Sequence, residues 1–266
     1  MSWALFKYNI KNNYFIWILL TSIFIFYFSI ILTMYDPESM KALDEVLEML
    51  PEAMVKALGF ADFGSTLYSY LASYLYGFLV FLFPIILSII INHRLVAVLT
   101  DKGSMAYLLA TPNSRTKIII TQMLFSLVSI SVMFILYTLI SIVFAQIMFP
   151  NELDIGKYLL LNLNTLILYF AIGGIGFFAS TIANDTNFSL GIGVSVPVLF
   201  LVFQMLGNAD NKLSFFHGLT LFSLLNTEAI ENDIPFVIIS IIVSLLIAAI
   251  LYGLSIYIFR KKNLYV

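Results

Sequence analysis

Few residues in this 266-residue chain can do covalent or acid–base chemistry, and those few are scattered. Cysteine is absent, which removes disulfides, thiolate nucleophiles and Cys-ligated metals. Two histidines, His93 and His217, fall on opposite sides of the membrane in the topology derived below, so they cannot share one metal ion. Gly193-Val194-Ser195-Val196-Pro197 places Pro197 where a G-x-S-x-G nucleophile elbow needs its second glycine. No G-x-x-x-x-G-K-[ST] run occurs, so the chain lacks a phosphate-cradling P-loop and any energy source must sit on another subunit. No catalytic residue and no metal site are expected. One stretch, Asp101 to Arg115, combines charge, a glycine turn and helix-capping residues.

The elements that hold this stretch are read from composition. Hydrophobic residues make up 61% of the chain, charged residues 11%, and mean hydropathy is +1.01. Soluble domains carry roughly 25% charged residues, so neither a soluble globule nor a disordered chain fits. Six segments cover the roughly 20 apolar residues that a helix needs to cross a bilayer: Tyr14–Met34, Leu67–Asn92, Ile118–Phe149, Tyr158–Ala183, Phe188–Leu206 and Ile234–Phe259. Their continuous apolar runs exclude the alternation of barrel strands. The first is too long for a signal-peptide core and lacks a small-x-small cleavage site, so it is retained as a span. The expected fold is an all-α polytopic membrane protein, one transmembrane domain over residues 1–266.

No Asp, Glu, Lys, Arg or His lies inside these spans. Ion-coupled carriers and membrane hydrolases depend on such groups. What the membrane does contain is small and uncharged: Gly173, Gly174, Gly176 and Ser180, then Gly191, Gly193 and Ser195, with Pro84 and Pro197 interrupting two spans. Close helix packing explains them better than substrate contact. Gln122, Gln146, Asn162, Asn164 and Gln204 are expected near span ends, facing headgroups or water.

The net charge of −2 hides a strong sorting. With the N-terminus inside, the inner segments hold Lys7, Lys11, Arg94, Lys102, Arg115, Lys117, Arg260, Lys261 and Lys262 against Asp101 and Asp185. The outer segments hold Lys41, Lys56, Lys157 and Lys212 against the remaining acids. Short loops rich in Lys and Arg stay cytoplasmic, so both termini are expected in the cytoplasm. The acidic outer face solvates its loops; attraction of cationic cargo is the alternative. The sequons at Asn184 and Asn187 fall on the inner side and read as chance matches.

Residues 1–13, with Trp3, Leu5, Phe6, Tyr8 and Ile10 among Lys7 and Lys11, predict a short interfacial helix; simple extension of the first span is the alternative. An outer helical loop spans residues 35–65, with Asp36 and Pro37 starting one helix and Pro51 a second that ends at Gly59. The inner loop, residues 93–117, reads as helix, turn, short helix, turn, helix: Asp101-Lys102-Gly103 makes the turn, Ser104 caps a helix through Ala110, Thr111-Pro112 stops it, and Ser114 caps the next span. That short helix presents Met105, Leu108 and Leu109, with Tyr107 beside them. Residues 207–233 contain an apolar stretch, Leu213 to Leu225, too short to cross, and predict a re-entrant or interfacial helical pair.

The stretch from Asp101 through Gly103, Ser104, Leu108, Leu109 and Pro112 to Arg115 resembles the acidic-x-Gly-(Ser/Thr)-x-x-x-Leu-Leu-x-x-Pro-x-x-Arg motif of ABC-2-type permeases. Those proteins are the membrane halves of ATP-driven transporters, mostly exporters. Pro51 to Gly59 is also similar to a stretch in bacterial members, and the topology matches over nearly the whole chain. Thr100 departs from the pattern, since many members carry an acid there. The resemblance implies that Ser104–Ala110 is a coupling helix for a separate nucleotide-binding ATPase, with Asp101, Lys102, Gly103, Ser104, Met105, Tyr107, Leu108, Pro112 and Arg115 at or near the contact. It implies a second permease subunit, with Tyr76, Phe83, Val196 and Phe200 at the seam or translocation pathway. ATP and its Mg²⁺ would sit on the partner, and this chain would hold no cofactor. The setting implied is the bacterial plasma membrane, with no nucleic-acid partner. An uncharged, aromatic-rich route suits an apolar or amphipathic cargo. A non-transport membrane sensor or scaffold is the alternative reading, and an ion-coupled carrier comes third.

Overall fold

The structure is a computed structural model that describes residues 1–35, 49, 51–57, 66–76 and 80–262. Among the described residues there is no strand, and six helices are long and apolar enough to cross a membrane. The first is α1 (Trp3–Met34), followed by the short α2 (Glu52–Ala57) and α3 (Leu67–Tyr74). The second span is assembled from α4 (Val80–Asn92), a π-helical turn (His93–Ala97) and α5 (Val98–Asp101). Next come the short α6 (Ser104–Leu109) and three long spans, α7 (Arg115–Met148), α8 (Ile155–Ile182) and α9 (Thr186–Ala209). Two 3₁₀ helices (Asn211–Leu219 and Leu221–Leu224), the single-turn α10 (Ala229–Asn232) and α11 (Ile234–Lys261) complete the chain.

Four spans begin at a capping residue placed just outside the apolar run. Ser114, Asp154, Asp185 and Asp233 each accept the backbone N–H three residues on, at 3.2, 3.0, 2.8 and 3.1 Å. Each cap satisfies an amide that the helix itself leaves orphaned, which is costly to leave open at a membrane boundary.

Two boundaries correct the sequence reading. The second span does not stop at Asn92: the crossing helix runs on to Asp101, and α3, capped by Thr66, covers the first residues of the expected span. The absence of charge was the wrong place to stop, because His93 and Arg94 lie within the helix and point to polar partners, Ser189 and Asn13. Residues 1–13 are likewise no separate helix, since no proline or glycine interrupts Trp3–Met34. The stretch nonetheless lies across α7. On α7, the partners of Ser2, Phe6, Asn9 and Trp17 fall between Thr121 and Phe125, whereas Phe24 and Phe28 meet Tyr137 and Phe144 further along.

The hub of the bundle is α8. In its most apolar window 72% of residues are buried, against 17% for α9. Its glycines allow this. A Cβ added to Gly173 would stand 2.7 Å from Ile130 Cδ1 of α7, and one on Gly174 would stand 3.1 Å from Leu251 Cβ of α11. The small residues of α8 are therefore packing devices, as their uncharged character predicts. Around the hub, α9 runs antiparallel, Ser189 beside Ser180 at 3.0 Å, and α11 runs parallel, Tyr252 beside Phe177 with ring centroids 5.3 Å apart.

Of the outer helical loop, the described part is α2, which packs on α9. The helix expected from Asp36 and Pro37, and the stop at Gly59, lie outside the described residues. Within 207–233, residues 207–209 still belong to α9, Asn211–Leu219 and Leu221–Leu224 form a pair of 3₁₀ helices, and α10 follows. Asp210 and Thr220 cap the two, and the fully buried Phe222 ring sits 4.5 Å from Phe81 and 6.2 Å from Tyr169. The first of the pair folds back on α9, its Phe216 stacked 5.3 Å from Phe203.

Candidate functional site

The loop between the second and third spans is a braced turn. Gly103 adopts φ +68°, the left-handed region that costs a residue with a Cβ roughly 1–2 kcal/mol. That conformation turns the chain directly from α5 into α6, with Gly103 N–H donating to Thr100 O at 3.1 Å and Ala106 N–H to Gly103 O at 3.1 Å. The capping position therefore falls on Gly103, and Ser104 is the first helical residue without a side-chain cap bond. At the far end Thr111 Oγ1 donates to Leu108 O at 2.6 Å, closing the helix one residue before the expected Ala110.

Both shoulders of the loop are tied to other spans. Thr186 Oγ1 at the start of α9 donates to Asp101 Oδ2 at 2.9 Å. Arg115 donates to the Lys262 carbonyl at 2.8 Å, just past α11. Lys262 Nζ in turn donates to Thr181 O at 2.9 Å and to Ala183 O at the end of α8. Burial there pulls the Lys262 ammonium below the ordinary lysine pKa. Three spans thus converge on one short loop.

The orientation of α6 reverses the expected face. Met105 is 2% exposed and belongs to the core, and Leu108 and Leu109 are half-buried against it. Tyr107 is 80% exposed. Lys102, Gly103 and Pro112 are exposed too, so the outward surface of the loop is Tyr107 framed by two turns. Six residues of helix cannot present both faces, and the chain buries the most flexible apolar side chain, Met105, to seat the helix.

A polar lattice that the sequence reading passed over stands behind this loop. Asn9 Nδ2 donates to Gln122 Oε1 at 2.5 Å, and Gln122 Nε2 donates to Leu95 O, inside the π turn, at 3.0 Å. Arg94 reaches Asn13 Oδ1 at 3.3 Å. Deeper in the bundle, Asn92 Nδ2 donates to Ser88 Oγ at 3.0 Å and Gly173 O at 2.9 Å, while Ser126 Oγ donates to Asn92 Oδ1 at 2.6 Å. Tyr252 is left to donate to Ser126 at 3.3 Å. Every polar atom of Asn92 named here is satisfied, which is what burial in a low-dielectric medium requires. Polar side chains inside spans face the bundle interior, and that rule was the available signal. It also corrects the placement of Gln122, Asn162 and Asn164, all buried rather than turned to headgroups.

The four residues expected at a seam separate. Tyr76 is 4% exposed, its hydroxyl donating to Asn162 Oδ1 at 2.7 Å, so it has no surface to offer a second subunit. Phe83 is half-buried, edge-on to Tyr137 at 6.4 Å. Val196 and Phe200 are half-buried on the flank of α9. The outward face of that helix is instead Ser195, Val198, Leu199, Val202 and Leu206, opposite the buried Gly193, Pro197 and Leu201. Helical period alone would have separated the two faces.

At the other end of the bundle Tyr70 OH donates to Ile31 O at 3.0 Å, Tyr68 OH to Thr227 O at 3.2 Å, and Lys157 Nζ meets Glu231 at 2.8 Å. Burial and the Glu152 carboxylate hold the Tyr35 phenol above its ordinary pKa. The basic segments thus gather at one end and Glu152, Asp154, Glu228 and Glu231 at the opposite end.

A family model described as ABC-2 family transporter protein matches residues 6–264. Comparison with curated proteins and with solved structures gave no match.

Proposed function

This chain belongs to the ABC-2 transporter family, and from that premise we propose that it is the permease subunit of an ATP-driven exporter whose α6 docks on a separate nucleotide-binding ATPase. The family and the six apolar helices make it a multi-pass membrane component of a transport system. One observation carries the finer reading: α6 sets Tyr107 outward, 80% exposed, while Met105, at 2% exposure, anchors the helix in the core. A side chain so displayed on a braced loop is a contact for something, and the loop converts movement of that contact into movement of three spans. Movement enters through Gly103 and Met105 and leaves through Asp101 to α9 and Arg115 to the end of α11.

In this reading the basic end faces the cytoplasm, and the partner supplies ATP and Mg²⁺. The second permease half packs along α9, whose apolar window is 17% buried, the lowest of the six spans. Its cargo is apolar or amphipathic, because the spans offer aromatic and aliphatic surface and, among the described residues, no intramembrane ion pair. The experiment is co-purification of the chain with its ATPase. Tyr107→Asp is expected to abolish recovery of the ATPase while the permease inserts normally. Leu108→Asp is the weaker test, since Leu108 is half-buried and its replacement also disturbs the loop. An undiminished ATPase yield with Tyr107→Asp would remove α6 as the docking helix. Transport by the chain alone in liposomes would remove the ATP-driven reading.

A further inference from the structure

The N-terminal half of α1 presents a face that the rest of the described chain leaves open. By the 3.6-residue period, Trp3, Lys7, Lys11 and Tyr14 fall on one side, with Tyr8 and Ile10 flanking them, and all six are exposed. The opposite side is fastened: Ser2 N–H donates to Thr121 Oγ1 at 2.7 Å, Asn9 to Gln122 at 2.5 Å, and Asn13 accepts from Arg94 at 3.3 Å. The half-helix is therefore pinned across α7 with a fixed outward face.

That face suits neither water nor hydrocarbon. In the bilayer core Lys7 and Lys11 would carry charge without a counter-ion on their own helix, since α1 contains no acid. In bulk water Trp3, Tyr8, Ile10 and Tyr14 would expose a continuous apolar surface. Aromatic rings with a polar edge and snorkelling lysines together match the headgroup layer. Lys7 Nζ stands 5.5 Å from the Trp3 ring centroid, which keeps its ammonium at the depth of the indole. Two cations and no acid select anionic over zwitterionic headgroups.

We propose that this face binds anionic phospholipid headgroups, with Lys7 and Lys11 on the phosphates and the aromatic rings at the glycerol level. The site holds whichever way the basic end faces. Through Asn13 and Arg94 it braces the same span that leads to Gly103.

The test is native mass spectrometry of the full chain in detergent, with phosphatidylglycerol and phosphatidylcholine offered at equal concentration. Phosphatidylglycerol should be retained preferentially and released by added salt. Lys7→Gln with Lys11→Gln should weaken its binding roughly 20- to 30-fold, about fivefold for each lysine near an anionic surface. Lys7→Arg with Lys11→Arg should retain binding, as should Lys212→Gln at the opposite end. Equal retention of the two lipids by the unaltered chain overturns the proposal, as does undiminished phosphatidylglycerol binding by the double glutamine variant. Loss of binding in the arginine variant as complete as in the glutamine variant also overturns it. Displacement of the lipid by inorganic phosphate at matched ionic strength marks a free-phosphate site and rejects the lipid.

Discussion

Individual residues matter here where the absence of a side chain sets a distance. Gly173 is the closest case: its missing Cβ would lie 2.7 Å from Ile130 Cδ1, 3.3 Å from Tyr252 OH and 3.4 Å from Ser88 Oγ. The first neighbour is the tip of a flexible side chain, but the other two belong to the Asn92 lattice and cannot retreat without losing hydrogen bonds. Gly173→Val is therefore expected to destabilise the bundle by about 1–3 kcal/mol, read as a lowered thermal midpoint in detergent. Gly191→Val is the matched control, because nothing stands within 4 Å of its Cβ position; equal effects at the two sites would deny Gly173 a special role. The same reasoning separates Tyr107 from its neighbours. An exposed tyrosine contributes little to the fold, so Tyr107→Asp should change stability by less than about 0.5 kcal/mol while removing the proposed ATPase contact.

Among the elements, the second span stands out, because its polar content is concentrated where the helix changes pitch. Asn92 closes α4, and the π turn that follows widens the helix and turns the Leu95 carbonyl to Gln122. Asn92→Ala leaves Ser126 and Gly173 O without their partner. The expected cost is about 1–2 kcal/mol, with the second and third spans loosened relative to α8. Hydrogen exchange at Leu95 and Val96 checks this, and unchanged protection there would separate the π turn from the Asn92 lattice. The boundaries of this span were the least legible in the sequence. A charge-free run stops at Asn92, yet the helix continues because His93 and Arg94 find partners on α9 and α1. Those partners are remote in sequence, so no local pattern announces them. The short α6 shows the same limit: its existence followed from Gly103 and Pro112, but which apolar side chain turned inward depended on the core that received Met105.

The molecule as a whole is a bundle with a charge gradient along its axis. At one end, residues 2 and 121, 13 and 94, 101 and 186, and 115 and 262 are paired by hydrogen bonds. The absence of native cysteine makes the orientation directly measurable. Single Lys102→Cys and Lys212→Cys chains should label with an impermeant maleimide from opposite sides of intact cells, Lys102→Cys only after the membrane is opened. Labelling of Lys102→Cys from outside would invert the topology and place the proposed docking loop where no ATPase could reach it.

The sequence by itself determined the number of spans, their apolar character, the sorting of charge between ends, the Gly103 turn and the absence of a P-loop. These depend on local composition or on one residue's backbone preference, and the bilayer enforces them segment by segment. Only the tertiary structure decided that α8 is the hub, that Asn92 and Gln122 tie spans together inside the bundle, that Tyr107 rather than Leu108 faces outward, and that Tyr76 is buried. Those outcomes depend on which helices meet and at what register. In a chain this uniformly apolar, many faces are equally greasy, and the choice falls to the few positions where a glycine permits contact or a buried amide demands a partner.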